Sequence, residues 1–266
     1  MSDPLLYEQD GHVVTLTFNR PEELNAFSDS TMVEAFIAAV ERIKSDDQVR
    51  AVVLTGTGKA FSAGGNVKHM RDKTDMFEGG PSEIRDAYLK GVLRVPPLFY
   101  GLDIPTIAAV NGPCYGAAVD LVCMCDIRIA SPEASFGLPF VNIGIAPGDG
   151  AAWFLPRIVG NAAAAELLLT GEPASAAKAK EIGLVSKILP RPGLVAEAQR
   201  IAQRIASRAP IAVRFAKRLM REGQHQSLAT HLEMCAAYQG IAHTSEDHHE
   251  ALAAFFEKRE PVFTGK

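Results

Sequence analysis

Residues 107–126 read IAAVNGPCYGAAVDLVCMCD, and this stretch decides how the rest of the chain is interpreted. It opens with an apolar, partly β-branched run at 107–110, which predicts a buried strand. Asn111-Gly112-Pro113 then breaks the strand, because Pro has no N–H to donate and Asn and Gly favour turns. Residues 117–124 are helix-forming and almost entirely apolar. The pattern predicts a strand, a glycine turn at Gly116 and the start of a buried helix.

The predicted helix carries one carboxylate, Asp120, near its beginning. The free N–H groups at the start of a helix can stabilise developing negative charge. Burial would raise the pKa of Asp120 and suit this carboxyl to proton transfer. A structural role is the alternative, since Asp in a first turn is favourable to the helix dipole and can act as a cap. These residues alone leave both interpretations open.

Composition limits the class of protein. The 266 residues are 47% hydrophobic and 22% charged, which is ordinary for a globular protein with a sizeable core. The net charge of -4 gives no electrostatic footprint for nucleic acid or an anionic membrane, and no apolar run has membrane-spanning length. The four cysteines do not make a disulfide framework, and His and Cys lack the spacing of a metal site. We expect reduced cysteines in the core of a cytoplasmic protein.

Strand and helix signals alternate in the first two thirds of the chain, which predicts an α/β fold. Besides 107–110, strands are predicted at 13–18, 49–55, 127–130 and 134–137. Helices are predicted after a cap at Ser28 or Asp29, and at 151–159 and 162–169. After Leu194 the strand signals fade, and further helices are predicted at 196–208, 211–221, 228–239 and 246–260. Residues 71–101 are interpreted as a cover that contains one helix.

Two loops resemble ligand-binding segments. Residues 60–66, AFSAGGN, have small side chains and adjacent glycines, which allow the backbone to approach a ligand closely and expose its N–H groups. Asp149 lies in a glycine-rich loop directly before a predicted helix. It is either an N-cap, worth roughly 1 kcal/mol, or a second functional carboxylate.

These segments occur in the order found in the crotonase (enoyl-CoA hydratase/isomerase) superfamily, and the chain resembles that family over nearly its whole length. The landmarks are NRP at 19–21, LNA at 24–26, VLTG at 53–56, KAFSAGGNVKHM at 59–70, residues 105–126, FGLP at 136–139, GIAPG at 144–148, LTG at 169–171, GLVS at 183–186 and AFFEKR at 254–259. The resemblance implies a spiral core of repeated β-β-α units at 1–195. It also implies a C-terminal helical region at 196–266 that builds trimers or hexamers.

The resemblance further implies an acyl-CoA thioester as ligand, with coenzyme A part of the substrate and no separate cofactor or metal. By position, the backbone N–H groups of Ala63 and Ala117 would bind the thioester oxygen as it becomes enolate-like. Each such donor is worth roughly 3 kcal/mol in a transition state. The residues that would border the substrate are Asn25, Ala26, Phe27, Ala63, Gly64, Gly65, Asn66 and Phe140. Lys258 would contact the coenzyme A phosphates or, alternatively, be a solvated lysine.

The chain departs from the family pattern at the reacting groups. Hydratases of the family use two glutamates; Asp120 stands at the first position and Phe140, which cannot transfer protons, at the second. Asp149, nine residues after Phe140, is the candidate replacement. We expect Asp120 and Asp149 to divide the general acid and base roles, with one carboxyl held protonated by burial or by its neighbour's charge.

The sequence therefore predicts an enzyme of the hydratase/isomerase type that acts through a stabilised thioester enolate. Hydration of a 2-enoyl-CoA is the most populated activity of the family, and double-bond isomerisation needs only one shuttling carboxylate. The alternatives are an acyl-CoA thioester or C–C bond hydrolase of the same fold, and a catalytically silent binding subunit.

Overall fold

Two β-sheets frame the protein in the computed structural model, which describes residues 3–27 and 29–266. The strands are β1 (Leu5–Asp10), β2 (Val13–Phe18), β3 (Ala51–Gly56), β4 (Thr106–Val110), β5 (Cys114–Tyr115), β6 (Ile127–Ala130), β7 (Ser135–Gly137), β8 (Ala174–Ser175) and β9 (Lys187–Ile188). The larger sheet has the order β1-β2-β3-β4-β6-β9, and the smaller sheet has the order β5-β7-β8. In the larger sheet β1 is antiparallel to β2, and the remaining neighbours are parallel.

Helices surround both sheets. They are α1 (Ser30–Ser45), α2 (Val67–Asp72), α3 (Pro81–Lys90), α4 (Val95–Phe99), α5 (Ala117–Met124), α6 (Ala151–Thr170), α7 (Ala176–Glu181), α8 (Arg191–Ala206), α9 (Pro210–Glu222), α10 (Leu228–His243) and α11 (Glu246–Glu257). Asp29 accepts the N–H of Met32 and so caps α1, as predicted, while Ser28 lies outside the described residues. The helices predicted at 151–159 and 162–169 form α6, which is interrupted at Gly160 (φ 78°, ψ 161°).

The chain winds as a spiral of β-β-α turns. β4 enters the larger sheet, β5 enters the smaller one, and α5 follows; β6, β7 and α6 then repeat the turn. The turn before them has the same form, because Ser62, after β3, bridges to Cys114 of β5 and is followed by α2. This arrangement confirms the predicted α/β spiral.

The central strands are apolar on both faces because helices cover both faces of the larger sheet. On one face Val52, Leu54 and Ala108 belong to the main core cluster together with residues of α1, α4 and α5. On the other face Val53 and Ile107 pack in a separate cluster against α8. The sheet is therefore a buried layer between helices, which is why its strands read as continuous apolar runs in the sequence.

The C-terminal division of the chain is less sharp than the predicted units at 1–195 and 196–266. Helix α8 already begins at Arg191 and is part of the core, since its apolar side chains cover the sheet. Helices α9, α10 and α11 follow it. Phe255 and Phe256 of α11 are 76% and 78% exposed. Assembly of this region into trimers stays a prediction.

The structure differs from the sequence-based expectations at smaller points. Strand β1 was not predicted, and residues 71–101 contain α4 as well as α3. Three cysteines are buried and free as expected, but Cys235 is only partly buried. In the described part of the chain, none of the helices is long and apolar enough to cross a membrane. The same part contains no group of three or more His, Cys, Asp or Glu residues suited to a metal ion.

The segment at 60–66 lies directly against the turn that follows β5. The N–H groups of Phe61 and Ser62 donate to the carbonyl of Pro113, and the N–H of Tyr115 donates to the carbonyl of Ser62. Gly64 has a φ of 71°, and a Cβ there would lie 2.2 Å from the carbonyl oxygen of Tyr115. Only glycine therefore allows the two backbones to come this close.

We predict that Gly64→Ala destabilises the fold much more than Gly144→Ala. Gly144 has nearly the same φ, 74°, but a Cβ there would meet nothing within 4 Å. The control should cost roughly 1–2 kcal/mol of unfolding free energy for its left-handed backbone. Gly64→Ala should cost at least about 2 kcal/mol more, because a backbone carbonyl cannot move away as a side chain can. Urea unfolding followed by circular dichroism measures both; equal losses would contradict the close-approach argument.

Candidate active site

A narrow cleft of about 70 Å³ lies between α2, α3, the start of α5 and the loop at 139–149. Its wall is mainly apolar and includes Met70, Met76, Phe77, Val92, Phe140, Ile143 and Ile145. Among the described residues that line it, Asp149 is the one carboxylate. A mostly apolar cavity with a few polar groups is the usual form of a small-molecule site.

Two backbone N–H groups at one end of the cleft have no hydrogen-bond partner in the described part of the chain. One belongs to Ala117, the first residue of α5, and the other to Gly65. They are close together, since a Cβ on Gly116 would lie 3.9 Å from the nitrogen of Gly65. The N–H of Gly116 itself donates to the carbonyl of Gly137, which anchors the turn. The two free amides can bind a carbonyl oxygen that gains negative charge.

The N–H of Ala63, which the family resemblance suggested as one of these donors, is already used. It donates to the carbonyl of Leu24 at 2.9 Å. Ala63 lines the cleft, but its amide holds the preceding loop in place. The geometry therefore assigns the free donor in this segment to Gly65, two residues further on. The N–H of Ala117 is free among the described residues, and its role as a donor to the substrate stays a prediction.

Asp149 lies in the loop before α6 and lines the cleft. The N-cap residue of α6 is Gly150, so Asp149 does not cap this helix. Its Oδ1 is buried and has no hydrogen-bond partner among the described residues. Burial raises the pKa of Asp149 from 3.8 to about 6. A carboxyl with a pKa near 6 can both accept and return a proton near neutral pH.

Asp120 lies behind Asp149 rather than in the wall of the cleft. It is 1% exposed, and neither carboxyl oxygen has a hydrogen-bond partner in the described residues. A Cβ on Gly150 would lie 3.8 Å from its Oδ1, which places Asp120 beside the loop that carries Asp149. Burial first, and then the charge of Asp149, raise the pKa of Asp120 well above its usual range. The backbone N–H groups of Ala151 and of Asp120 itself lower this pKa by less, since they lie near the carboxyl without meeting hydrogen-bond geometry. Asp120 is therefore the carboxyl that stays protonated.

Two aromatic residues shape the space around Asp149. Phe140 is 8% exposed, lines the cleft and lies 3.9 Å from the Cβ position of Gly116, so an apolar ring fills the predicted place of the second glutamate. Tyr88 of α3 lines the same cleft. Burial, and next the charge of Asp149, raise the pKa of Tyr88 above 10.0. Tyr88 is thus a neutral phenol close to Asp149.

Asn25 supports the site instead of facing a ligand. Its side chain is fully buried; Nδ2 donates to the carbonyls of Thr57, Ala60 and Phe61, and Oδ1 accepts the N–H of Arg20. These bonds occupy both ends of the amide. The buried side chain of Asn25 thus fixes the loop beside the cleft, and a border of this segment with the substrate stays a prediction.

The other predicted substrate residues are spread unevenly. Phe27 lines the cleft, and its N–H donates to the carbonyl of Gly64; Ala26 is buried beside it. Asn66 caps α2 by accepting the N–H of Lys68. Lys258 is exposed at the end of α11 and is not part of the cleft lining within this chain. Its contact with coenzyme A phosphates stays a prediction.

Sequence reasoning missed two features of the site. Residues 71–101 were expected to shape the acyl pocket or only to pack down, and periodicity could not show that Tyr88 and Phe77 are side chains of this segment that line the cleft. The free amide of Gly65 was also missed, because which N–H is used depends on a loop that is distant in sequence. The amphipathic pattern of α3 was the signal that could have indicated the position of Tyr88.

Comparison with known proteins shows the family of this chain. The family model described as enoyl-CoA hydratase/isomerase matches residues 8–266. The chain belongs to the enoyl-CoA hydratase/isomerase family. A short-chain-enoyl-CoA hydratase of Clostridium acetobutylicum is 37% identical over 256 residues, with 96% of this chain and 95% of the relative covered. A 1,2-epoxyphenylacetyl-CoA isomerase of Escherichia coli is 33% identical over the full length of both chains.

Solved structures of the family show the same fold. The crystal structure of an enoyl-CoA hydratase from Bacillus anthracis matches with a TM-score of 0.92 and 35% identity, covering 99% of this chain and 100% of that one. The spiral and the positions of its helices are therefore those of the hydratase/isomerase family.

We predict that Asp149→Asn raises stability in a pH-dependent way. In the folded protein the pKa of Asp149 is about 6, against 3.8 ordinarily, so ionisation of this group destabilises the fold as pH rises from about 4 to about 6. The unfolding free energy of the variant minus that of the unmodified protein should increase by about 1–3 kcal/mol between pH 4 and pH 7. Urea unfolding at both pH values measures it. A difference that does not change with pH would contradict the burial of a charged Asp149.

Proposed function

We propose that this protein is an acyl-CoA enzyme that moves a carbon–carbon double bond between the 3 and 2 positions of an enoyl-CoA thioester. One observation carries the proposal: a single titrating carboxylate, Asp149, faces an apolar cleft beside two free backbone amides. Hydration by the two-glutamate scheme needs a second carboxylate on the cleft wall, and Phe140 takes that place. Isomerisation needs only one group that removes and returns a proton.

In the proposed reaction the N–H groups of Gly65 and Ala117 bind the thioester oxygen. The Asp149 carboxylate removes a proton from C2 of a 3-enoyl-CoA, and the electron pair moves to the oxygen, giving a dienolate that the two amides stabilise. Asp149 then delivers the same proton to C4, and the double bond forms between C2 and C3. The apolar wall around Asp149 excludes water, which keeps the proton from exchanging and prevents addition of water to the product.

Asp120 acts on this reaction through Asp149. Because its carboxyl is neutral, it places no second negative charge next to Asp149, which can then ionise with a pKa of about 6. Asp120 is thus a positioning residue rather than a group that touches the substrate. In this proposal Asp149 transfers the proton and Asp120 stays neutral, instead of the two dividing the general acid and base roles.

Hydration of a 2-enoyl-CoA is the second candidate. It is supported by the names of several relatives, among them the short-chain-enoyl-CoA hydratase of Clostridium acetobutylicum. Asp120 would then supply the second proton through Asp149, since it is the protonated member of the pair. Hydrolysis of the thioester and ligand binding without turnover are the remaining alternatives, and release of free coenzyme A identifies the former.

We propose in addition that the protein forms trimers, or hexamers as pairs of trimers, in the cytoplasm. The support is the family resemblance and the large exposed apolar side chains of the C-terminal region, which include Phe255, Phe256 and Val262. Exposed apolar patches of this kind mark surfaces that contact other chains.

We predict that the enzyme converts a 3-enoyl-CoA to the 2-enoyl-CoA and that Asp149→Asn lowers kcat by about 10²–10⁴-fold, because the amide cannot accept the proton. In the unmodified protein, kcat/KM should rise with pH around a midpoint of about 6, where Asp149 ionises. Absorbance of the 2-enoyl thioester follows the reaction. Asp10→Asn, an exposed carboxylate on β1, is the control and should keep full activity. Full activity of Asp149→Asn would contradict the proposed base.

We predict that Ala117→Pro removes one of the two amide donors while the fold is kept, since Pro is tolerated at the first position of a helix. The expected loss in kcat is about 10²–10³-fold. Ala117→Gly keeps the N–H and should retain activity within about threefold. Circular dichroism checks that both variants fold. Equal activities of the two variants would show that this amide does not bind the reacting oxygen.

A further inference from the structure

The cleft does not end at Asp149 but opens into a second, larger space. We call this space the outer groove. Its volume is about 880 Å³, and its lining includes Ile84 and Leu89 of α3, Leu93 after α3, and Ala146 and Gly148 of the loop before Asp149. None of these five residues lines the cleft itself.

The cleft and the outer groove share part of their walls. The side chains that line both are Val67, Met70, Phe77, Tyr88, Ile143 and Ile145. Tyr88 lies at the junction, close enough to Asp149 for the charge of Asp149 to raise the pKa of its phenol. A ligand whose reacting carbons lie beside Asp149 would therefore continue past Tyr88 into the groove.

The outer groove exposes apolar surface that a ligand would cover. Val67, Leu89, Ile143 and Ile145 are among the exposed large hydrophobic side chains of the protein. The described lining of the groove contains no carboxylate; its polar groups are mainly cationic side chains at the outside, such as Arg71 and Lys73. Surface of this kind gains free energy when a hydrocarbon chain covers it.

We propose that the substrates are enoyl-CoA thioesters whose acyl chain extends beyond six carbons, with the distal carbons bound in the outer groove. The inference rests on the proposed function, because the amides of Gly65 and Ala117 fix the thioester end and Asp149 fixes the reacting carbons. With these points fixed, the first carbons of the chain occupy the cleft. Each further methylene passes Tyr88 and is buried against the side chains of the groove.

The occupant is the substrate chain rather than a second copy of this protein. The groove is continuous with the interior of the cleft, whereas the most exposed apolar residues of the C-terminal region, such as Phe255 and Phe256, lie on a different element. A flat protein surface could cover the mouth of the groove but would leave its junction at Tyr88 empty.

The test uses saturated acyl-CoAs, which bind without reacting. Dissociation constants for butyryl-, hexanoyl-, octanoyl- and decanoyl-CoA are measured by isothermal titration calorimetry on the full-length protein. Full burial of one methylene corresponds to about fourfold in affinity. Because the groove is partly open, we expect about twofold per methylene, and so at least 30-fold between butyryl- and decanoyl-CoA. Affinity that does not change with chain length would overturn the proposal.

Variants of α3 locate the effect. Ile84→Trp fills the groove and should reduce the decanoyl-to-butyryl affinity ratio at least tenfold while leaving butyryl-CoA within twofold. Leu89→Glu, at an exposed position, is a second variant in case the tryptophan disturbs folding, and should have the same direction. Asp86→Trp, on the same helix but outside the groove lining, is the matched control and should keep the ratio. An unchanged ratio in both groove variants would overturn the proposal.

Two further readouts separate this inference from others. If Ile84→Trp changes the mass measured by light scattering, the groove is a contact between copies and the proposal fails. If affinity rises with chain length but no 3-enoyl-CoA is turned over, the groove stands and the proposed isomerisation fails. If a 3-enoyl-CoA is turned over but affinity does not depend on chain length, the proposed isomerisation is supported and the proposal for the outer groove fails.

Discussion

The close approach of two backbone segments at Gly64 is the constraint on which the site depends. The segment at 60–66 lies so near the turn after β5 that a Cβ on Gly64 would meet the Tyr115 carbonyl at 2.2 Å. This contact brings two free amides, on Gly65 and Ala117, to the same end of the cleft, although they belong to different turns of the spiral. Without this close approach, the two N–H groups would lie too far apart to bind the same oxygen atom.

The same architecture accounts for the unequal carboxyls. α5 is buried on all sides, so Asp120 loses its solvation entirely and stays neutral. Asp149 belongs to a loop, reaches the cleft wall and is only partly desolvated, so its pKa stops at about 6. Asp120 and Asp149 thus differ in protonation because Asp120 lies in a helix of the core and Asp149 lies in a loop at the edge of the core. An apolar ring at Phe140 leaves Asp149 as the reacting carboxylate in this space.

The fold was largely predictable because its signals are local or periodic. Strands such as β4 read as short apolar runs, and the glycine turn before α5 follows from residues adjacent in sequence. Strand β1 was missed, since a polar edge strand has little burial to produce a pattern. The predicted boundary after residue 195 falls inside α8, which belongs to the core. The sequence of an amphipathic helix shows that one side is buried, but it does not show which part of the protein that side covers.

The sequence by itself determined the α/β class and the two candidate carboxylates, because each depends on residue types at short spacing. The spiral was implied by the resemblance of the sequence to a known family. Only the tertiary structure decided which groups are free to react. The amide of Ala63 is used by the carbonyl of Leu24, and that of Gly65 is left free. Likewise the joining of the cleft to the groove at Tyr88 depends on how α3 lies over the loop before Asp149. Such pairings are made between segments far apart in the chain, and no local pattern encodes them.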